Sequence, residues 1–259
     1  MLDTLVRAVM EGGHRALELQ RELQSIPPME KSMYKGDFRT KADIESQEII
    51  KKILHDKYPS IPIVAEEDEP QHLEFSTYFT VDPLDGTWIY SRRCREWGVI
   101  LGYVKNHVPA AVAAYLPAEN IIIKSQREQG CFLNGEQVHL QHHEPLKKSI
   151  IGVLTNANVS KDVHNAHYTP LIYEALATRN LSSNIGSTAE VLLGRAEAYV
   201  SNMGAIWDHV LALAIQEAGG TAVSFDGSSL EWTRIKPFEV IFAASRELAE
   251  EIVLYMKQP

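Results

Sequence analysis

The aromatic and β-branched run Tyr78-Phe79-Thr80-Val81 feeds straight into Asp82-Pro83-Leu84-Asp85-Gly86-Thr87. The first four residues read as a strand that ends at Asp82. Pro83 has no N–H and cannot continue a central strand, so the chain is expected to turn there. A tight turn brings Asp82 and Asp85 to one point, where two carboxylates repel unless a proton or a cation joins them. A hard divalent cation that takes oxygen ligands, such as Mg²⁺, is the natural occupant. A plain surface turn, with Asp capping the backbone and Gly at positive φ, fits the same residues.

Two further acidic stretches bear on that choice. Upstream, Ile61-Pro62-Ile63-Val64-Ala65-Glu66-Glu67-Asp68-Glu69 is an apolar strand running into acids. Downstream, Ile206-Trp207-Asp208-His209 opens a run that closes on Gln216-Glu217-Ala218-Gly219-Gly220. Three acidic sites at the ends of strands or helices are what a multi-metal centre requires. The formal charge of −9 accords with a protein that gathers acids around cations, as it does with a merely acidic surface, and it argues against a general nucleic-acid binder. A lone histidine beside an acid, such as His209, is read as structural.

A chain of 259 residues can bury a sizeable core as one large domain or two packed halves. Two cysteines, Cys94 and Cys131, make no disulfide framework and fit a reducing cytoplasm. No apolar window is long enough to span a bilayer, and Met1-Leu2-Asp3-Thr4-Leu5 lacks the basic start of a secretory leader. Apolar spacing predicts a helix over 2–23 and a second over 43–58. Thr40-x-x-Asp43 fits a capping box at the start of the second, and Asp43 could itself cap that helix. Short strands are expected at 61–65, 78–81, 97–104, 110–115 and 120–124, with Asn134-Gly135 as a hairpin turn between 131–133 and 138–140. The polar segment 139–148 separates the halves. Beyond it, strands at 150–154, 181–185, 198–200 and 240–243 alternate with helices at 169–178, 208–218 and 246–256, which argues for layered α and β structure.

Taken in order, Ala65-Glu66-Glu67, Asp82-Pro83-Leu84-Asp85-Gly86-Thr87, Trp207-Asp208 and Glu217-Ala218-Gly219-Gly220 make the chain resemble the inositol monophosphatase family of Mg²⁺-dependent, lithium-sensitive phosphatases. Asp37-Phe38-Arg39-Thr40-Lys41-Ala42-Asp43, Phe132-Leu133-Asn134-Gly135 and Gly186-Ser187-Thr188-Ala189 are weaker marks of the same resemblance. The resemblance implies an α+β fold, a layered α-β-α-β-α sandwich. It divides into a half over 1–145 with most metal ligands and a half over 146–259 with Asp208 and the substrate wall. It also implies a cytoplasmic homodimer that acts on a small phosphate ester and engages neither nucleic acid nor membrane.

The resemblance further implies two Mg²⁺ ions, with room for a weaker third near Glu67. Glu67, Asp82 and the carbonyl of Leu84 would hold the first, and Asp82, Asp85 and Asp208 the second. Glu66 is either an indirect support or a solvated neighbour. Asp43 and Thr87 would be the water-activating pair, with Glu67 beside them as a catalytic group. Gly86 and Thr87 would offer backbone N–H groups to the phosphate, or form an ordinary helix cap. Gly186, Ser187 and Asp208 complete the implied substrate contacts. Arg92 and Arg93 follow the metal loop and read either as a grip on a second phosphate or as a solvated run. Lys35 reads as a guide for an anionic substrate or as a surface lysine.

Four departures from the family touch the substrate wall and spare the acids. Trp88-Ile89 stands where relatives usually carry Asn-Phe. The segment 186–194 is about one helical turn shorter, and the run 208–217 is also shorter. Ser201-Asn202-Met203 stands where the inositol enzymes place a sugar-binding Glu. The expected activity is therefore Mg²⁺-dependent hydrolysis of a small polyol, sugar or nucleotide phosphate, with inositol 1-phosphate as the default. Fructose 1,6-bisphosphate, 3′-phosphoadenosine 5′-phosphate and histidinol phosphate are the rival substrates. A non-catalytic, metal-binding regulatory protein is the rival of another class.

Overall fold

The computed structural model describes residues 1–23, 29–30, 38–68, 73–141, 144–155 and 161–256, so Lys35, Asp37 and Glu69 lie outside the described residues. The chain begins with α1 (Leu2–Glu22), a short ladder of β1 (Met29–Glu30) on β2 (Phe38–Arg39), and α2 (Lys41–Lys57). Then come β3 (Ile63–Ala65), β4 (Tyr78–Asp85), α3 (Thr87–Ser91), β5 (Gly98–Lys105) and β6 (Val108–Leu116). The strands β7 (Ile121–Gln126), β8 (Cys131–Leu133) and β9 (Glu136–Val138) complete the first sheet. Consecutive strands lie side by side in the order β3-β4-β5-β6-β7-β8-β9, all antiparallel except β3 on β4. Asn134 and Gly135, both at positive φ, form the expected turn between β8 and β9.

The second sheet has the order β11-β10-β12-β14-β13. It is built from β10 (Ile150–Leu154), β11 (Ala177–Arg179), β12 (Ala198–Gly204), β13 (Thr221–Val223) and β14 (Phe238–Ala243). Its helices are α4 (Lys161–Val163), α5 (Thr169–Glu174), α6 (Asn184–Leu192), α7 (Ile206–His209), α8 (Ala212–Glu217) and α9 (Arg246–Met256). Among the described residues no helix is long and apolar enough to cross a membrane.

Strand periodicity sorts the side chains into layers. Val99 and Leu101 on β5, with Ala111, Ala113 and Tyr115 on β6, face α1 and α2. The alternate residues Ile100, Val112 and Ala114 face the opposite way, toward α6, α7 and α8. On β12 and β14, Tyr199, Val240 and Phe242 look into that same central helical layer. Ala198, Val200, Ile241 and Ala243 look outward onto α5 and α9. A period of two on each strand therefore gives two helix-facing surfaces per sheet, and the stack is α-β-α-β-α as expected. Helix α1 lies close on its neighbours because Gly12 and Gly13 carry no side chain. A Cβ at Gly12 would come within 2.7 Å of Ser46 Oγ, and one at Gly13 within 2.7 Å of the Tyr115 ring.

Three expected elements differ. Residues 181–185 are not a strand: α6 starts at Asn184, capped by Ser183 Oγ accepting from Gly186 N at 2.9 Å. The second sheet is extended instead by β11, three exposed residues of which the first two fall inside the helix expected over 169–178. The run 208–218 is two short helices, α7 and α8, joined at Val210 and Leu211. Burial is so complete there that apolar periodicity could not mark the break.

Ile100 is fully buried between the first sheet and the central helices. Ile100→Ala is expected to lower stability by about 2–5 kcal/mol. The check is a reduced urea midpoint with an unchanged denaturant slope.

Candidate metal centre

Strand β4 is buried along its whole length and does not end at Asp82. It runs through Pro83 to Asp85, and the turn comes at Gly86. Asp82 pairs with Ile100 and Asp85 with Gly98, so β4 carries one residue more than β5 across this stretch, a β-bulge. On the other edge β3 reaches only as far as Val81, whose carbonyl accepts from Glu66 N at 3.0 Å. The missing N–H of Pro83 therefore breaks no ladder bond, which is the reason proline is tolerated at bulges. Asp82 Oδ1 accepts from Leu84 N at 3.0 Å and fixes the local bend. Gly86, at φ +84°, then turns the chain into α3, which Thr87 opens. A Cβ at Gly86 would stand 3.2 Å from Ser183 Cβ, so both φ and space favour glycine.

One carboxylate serves both readings of Asp43. Its Oδ2 accepts from Thr40 N at 2.5 Å and Thr40 Oγ1 at 2.6 Å, while Thr40 Oγ1 accepts from Ala42 N at 3.1 Å. That is the capping arrangement at the start of α2. Its Oδ1 accepts from the Thr87 hydroxyl at 3.2 Å. The same hydroxyl lies 3.1 Å from the Leu84 carbonyl. Asp43 thus joins the start of α2 to the start of α3.

Carboxylate oxygens of Asp82, Asp85 and Asp208 all lie within 4.8 Å of one another, and all three residues are buried. Asp85 reaches the start of α6, where its Oδ2 accepts from Ser183 Oγ at 2.5 Å and Ile185 N at 2.8 Å. Asp208, in the first turn of α7, accepts from Ala205 N at 2.7 Å through Oδ2. The Asn184 side chain donates to both, at 3.1 Å to Asp85 Oδ1 and 2.7 Å to Asp208 Oδ1. Sequence reading missed Asn184. Ser183, three residues before a small-residue run, is the N-cap signal that would have placed it at a helix start.

Burial is the first cause that raises the three carboxyls above the usual range. The charges of Glu66, Asp208 and Asp85 raise Asp82 further, and those of Asp85 and Glu66 raise Asp208. Asp85 is raised less firmly, because Ser183, Ile185 and Asn184 stabilise its charged form. An all-oxygen, buried and self-repelling donor set fits a hard divalent cation.

The charge of Glu66 acts on Asp82 and Asp208. The backbone N–H of Glu67 donates to Gln47 Oε1 at 3.2 Å, and Gln47 and Lys51 on α2 hold Asp68. These contacts pin the acidic loop to α2.

The remaining residues singled out in the sequence make the following contacts. Gly186 N caps on Ser183, and Ser187 Oγ donates to the Ser183 carbonyl at 2.7 Å, so both serve the first turn of α6. Arg93 donates to the Leu23 carbonyl at the end of α1. Arg92 is exposed and donates to Ser91 Oγ at 3.2 Å. Glu217 accepts from the backbone N–H groups of Glu128, Gln129 and Gly130 at 2.8, 3.1 and 2.9 Å, and anchors the β7–β8 turn. His209 is fully buried, its Nε2 3.1 Å from the Phe238 carbonyl, and burial pushes its imidazole down to about 3.

Comparison with known proteins gives a consistent result. The family model described as the inositol monophosphatase family matches residues 3–258. The chain is 26% identical over 234 residues to the Nus factor SuhB of Xylella fastidiosa, covering 88% of this chain and 82% of that protein. It is 25% identical over 242 residues to the inositol monophosphatase of Mesembryanthemum crystallinum, covering 89% and 88%. The crystal structure of the extragenic suppressor protein suhB from Bartonella henselae superposes with a TM-score of 0.89 at 21% identity, covering 98% of this chain and 97% of that one.

Thr40→Ala removes a cap and one donor to Asp43, and is expected to lower stability by about 1 kcal/mol, read from thermal unfolding. The raised carboxyls bind protons more readily folded than unfolded. Their contribution to stability therefore falls as pH rises above the unfolded carboxylate range. His209, depressed in the fold, acts with the opposite sign. Comparing melts with and without Mg²⁺ at each pH isolates the carboxylates. The Mg²⁺-induced rise in Tm is expected to be small near pH 5 and to grow toward about pH 8.

Proposed function

The chain belongs to the inositol monophosphatase family, and we propose that it is a Mg²⁺-dependent phosphomonoesterase acting on a small polyol, sugar or nucleotide phosphate. The observation that carries this reading is the convergence of Asp82, Asp85 and Asp208 within 4.8 Å, with the Thr87–Asp43 hydrogen bond beside them. Asp82, Asp85 and Asp208 would hold the second cation, and Asp82, Leu84 O and a glutamate the first. We choose Glu66 for that glutamate over Glu67, because the charge of Glu66 is felt at both Asp82 and Asp208.

When bound, Mg²⁺ supplies charge stabilisation for the phosphate and acidifies water at neutral pH. The residues contribute order. The Thr87 hydroxyl has its proton directed at Asp43 or at the Leu84 carbonyl. Its lone pairs then accept from, and orient, the attacking water. Asp43 is fully buried and held by two donors from Thr40, so it keeps Thr87 in one rotamer. Gly86 and Thr87 remain the substrate-side backbone in this reading. Arg93 leaves it, because its guanidinium ties down the end of α1. Arg92 is the remaining cation of that pair. From the family we carry over a cytoplasmic homodimer as part of the same proposal.

The test is Mg²⁺-dependent phosphate release across inositol 1-phosphate, fructose 1,6-bisphosphate, 3′-phosphoadenosine 5′-phosphate and histidinol phosphate. Turnover of at least one ester is expected. Asp85→Asn is expected to lose more than the roughly 10–100-fold that removal of an outer-sphere partner costs. Silence on all four, with Mg²⁺ still raising Tm, would favour a regulatory role, a reading to which the similarity to a protein named Nus factor SuhB lends weight.

A further inference from the structure

We propose that Asn184, oriented by Tyr199, is a positioning residue that sets the separation of Asp85 and Asp208 for cation binding. The inference rests on the phosphatase reading above for its purpose, but not for its geometry. The two carboxylates come from different parts of the fold: Asp85 from β4 of the first sheet and Asp208 from α7 beside the second. No backbone hydrogen bond fixes one against the other among the described contacts. The amide of Asn184 touches both, donating to Asp85 Oδ1 at 3.1 Å and to Asp208 Oδ1 at 2.7 Å.

The orientation of that amide is determined by chemistry. Carboxylates that hold a cation are ionised and only accept, so the NH₂ must face them and the carbonyl must face away. There Asn184 Oδ1 accepts from the Tyr199 hydroxyl at 2.6 Å. Tyr199 is fully buried on β12, packs edge-on to Phe242, and stays protonated because burial raises its hydroxyl well above its usual range. The relay from β12 through α6 therefore has a fixed direction of donation. Each Asn184 bond takes up one lone pair of a carboxylate oxygen. It leaves another for a cation, while the amide hydrogens offset the repulsion that would otherwise drive the acids apart.

Asn184→Ala and Tyr199→Phe are compared with the unaltered protein by isothermal titration with Mg²⁺ alone, and by phosphate release as a function of Mg²⁺. Asn184→Ala is expected to weaken Mg²⁺ binding about 10–100-fold, the range for an outer-sphere partner. Tyr199→Phe, which deletes only a hydroxyl, is expected to weaken it in the same direction by less. In phosphate release, the Mg²⁺ required for half-maximal rate should rise, with KM for the ester little changed. Tm in EDTA separates positioning from folding: Tyr199→Phe should retain a cooperative melt. Unchanged Mg²⁺ affinity in both variants would overturn the proposal. So would tighter binding in Asn184→Ala, which would make the amide a competitor of the cation. Titration does not require turnover, so loss of the phosphatase reading would leave this result standing, and the reverse holds equally.

Discussion

The structure turns on a repulsion. Asp82, Asp85 and Asp208 are buried together, and each is harder to ionise because of burial, with Asp82 and Asp208 opposed further by neighbouring carboxylates. Such a cluster persists only where the surrounding chain over-determines it. That role falls to donors already fixed by secondary structure: Leu84 N on β4, Ile185 N at the start of α6, and Ala205 N at the start of α7. Helix starts leave N–H groups without intrahelical partners, and Asp85 and Asp208 exploit that supply.

The layering explains why these ends meet. The central helices α6, α7 and α8 are covered by a sheet on each side, so their first turns are fixed by apolar packing rather than by solvent-exposed loops. The outer helices α1 and α2 cover the far face of the first sheet. Through Asp43, Gln47 and Lys51, α2 holds Thr87 and the acidic loop at 66–68 from the other side. The site is thus braced by elements from both faces of β4.

Much of this was legible in the chain. The order of acidic motifs pointed to the family, and alternation on β5 and β6 pointed to layers. What escaped did so for identifiable reasons. Pro83 was read as a strand stop because the local rule counts a missing N–H, whereas the ladder had no bond to lose there. The break between α7 and α8 was invisible because Ile206 to Ile215 is almost uniformly buried and carries no amphipathic stripe. Asn184 was hidden inside a segment read as a strand, and its partners lie about a hundred residues before it and some fifteen to twenty-five after.

The bulge at Pro83 has a consequence in parity. Along a regular strand, residues three apart point to opposite faces. Asp82 and Asp85 would then be split, one toward α2 and one toward the central helices. The extra residue on β4 changes an odd offset into an even one, so both carboxylates emerge on the same side. The spacing of the two acids and the irregularity of the ladder are therefore a single property. Smoothing the ladder while keeping the three-residue spacing would send Asp85 to the wrong side of the sheet.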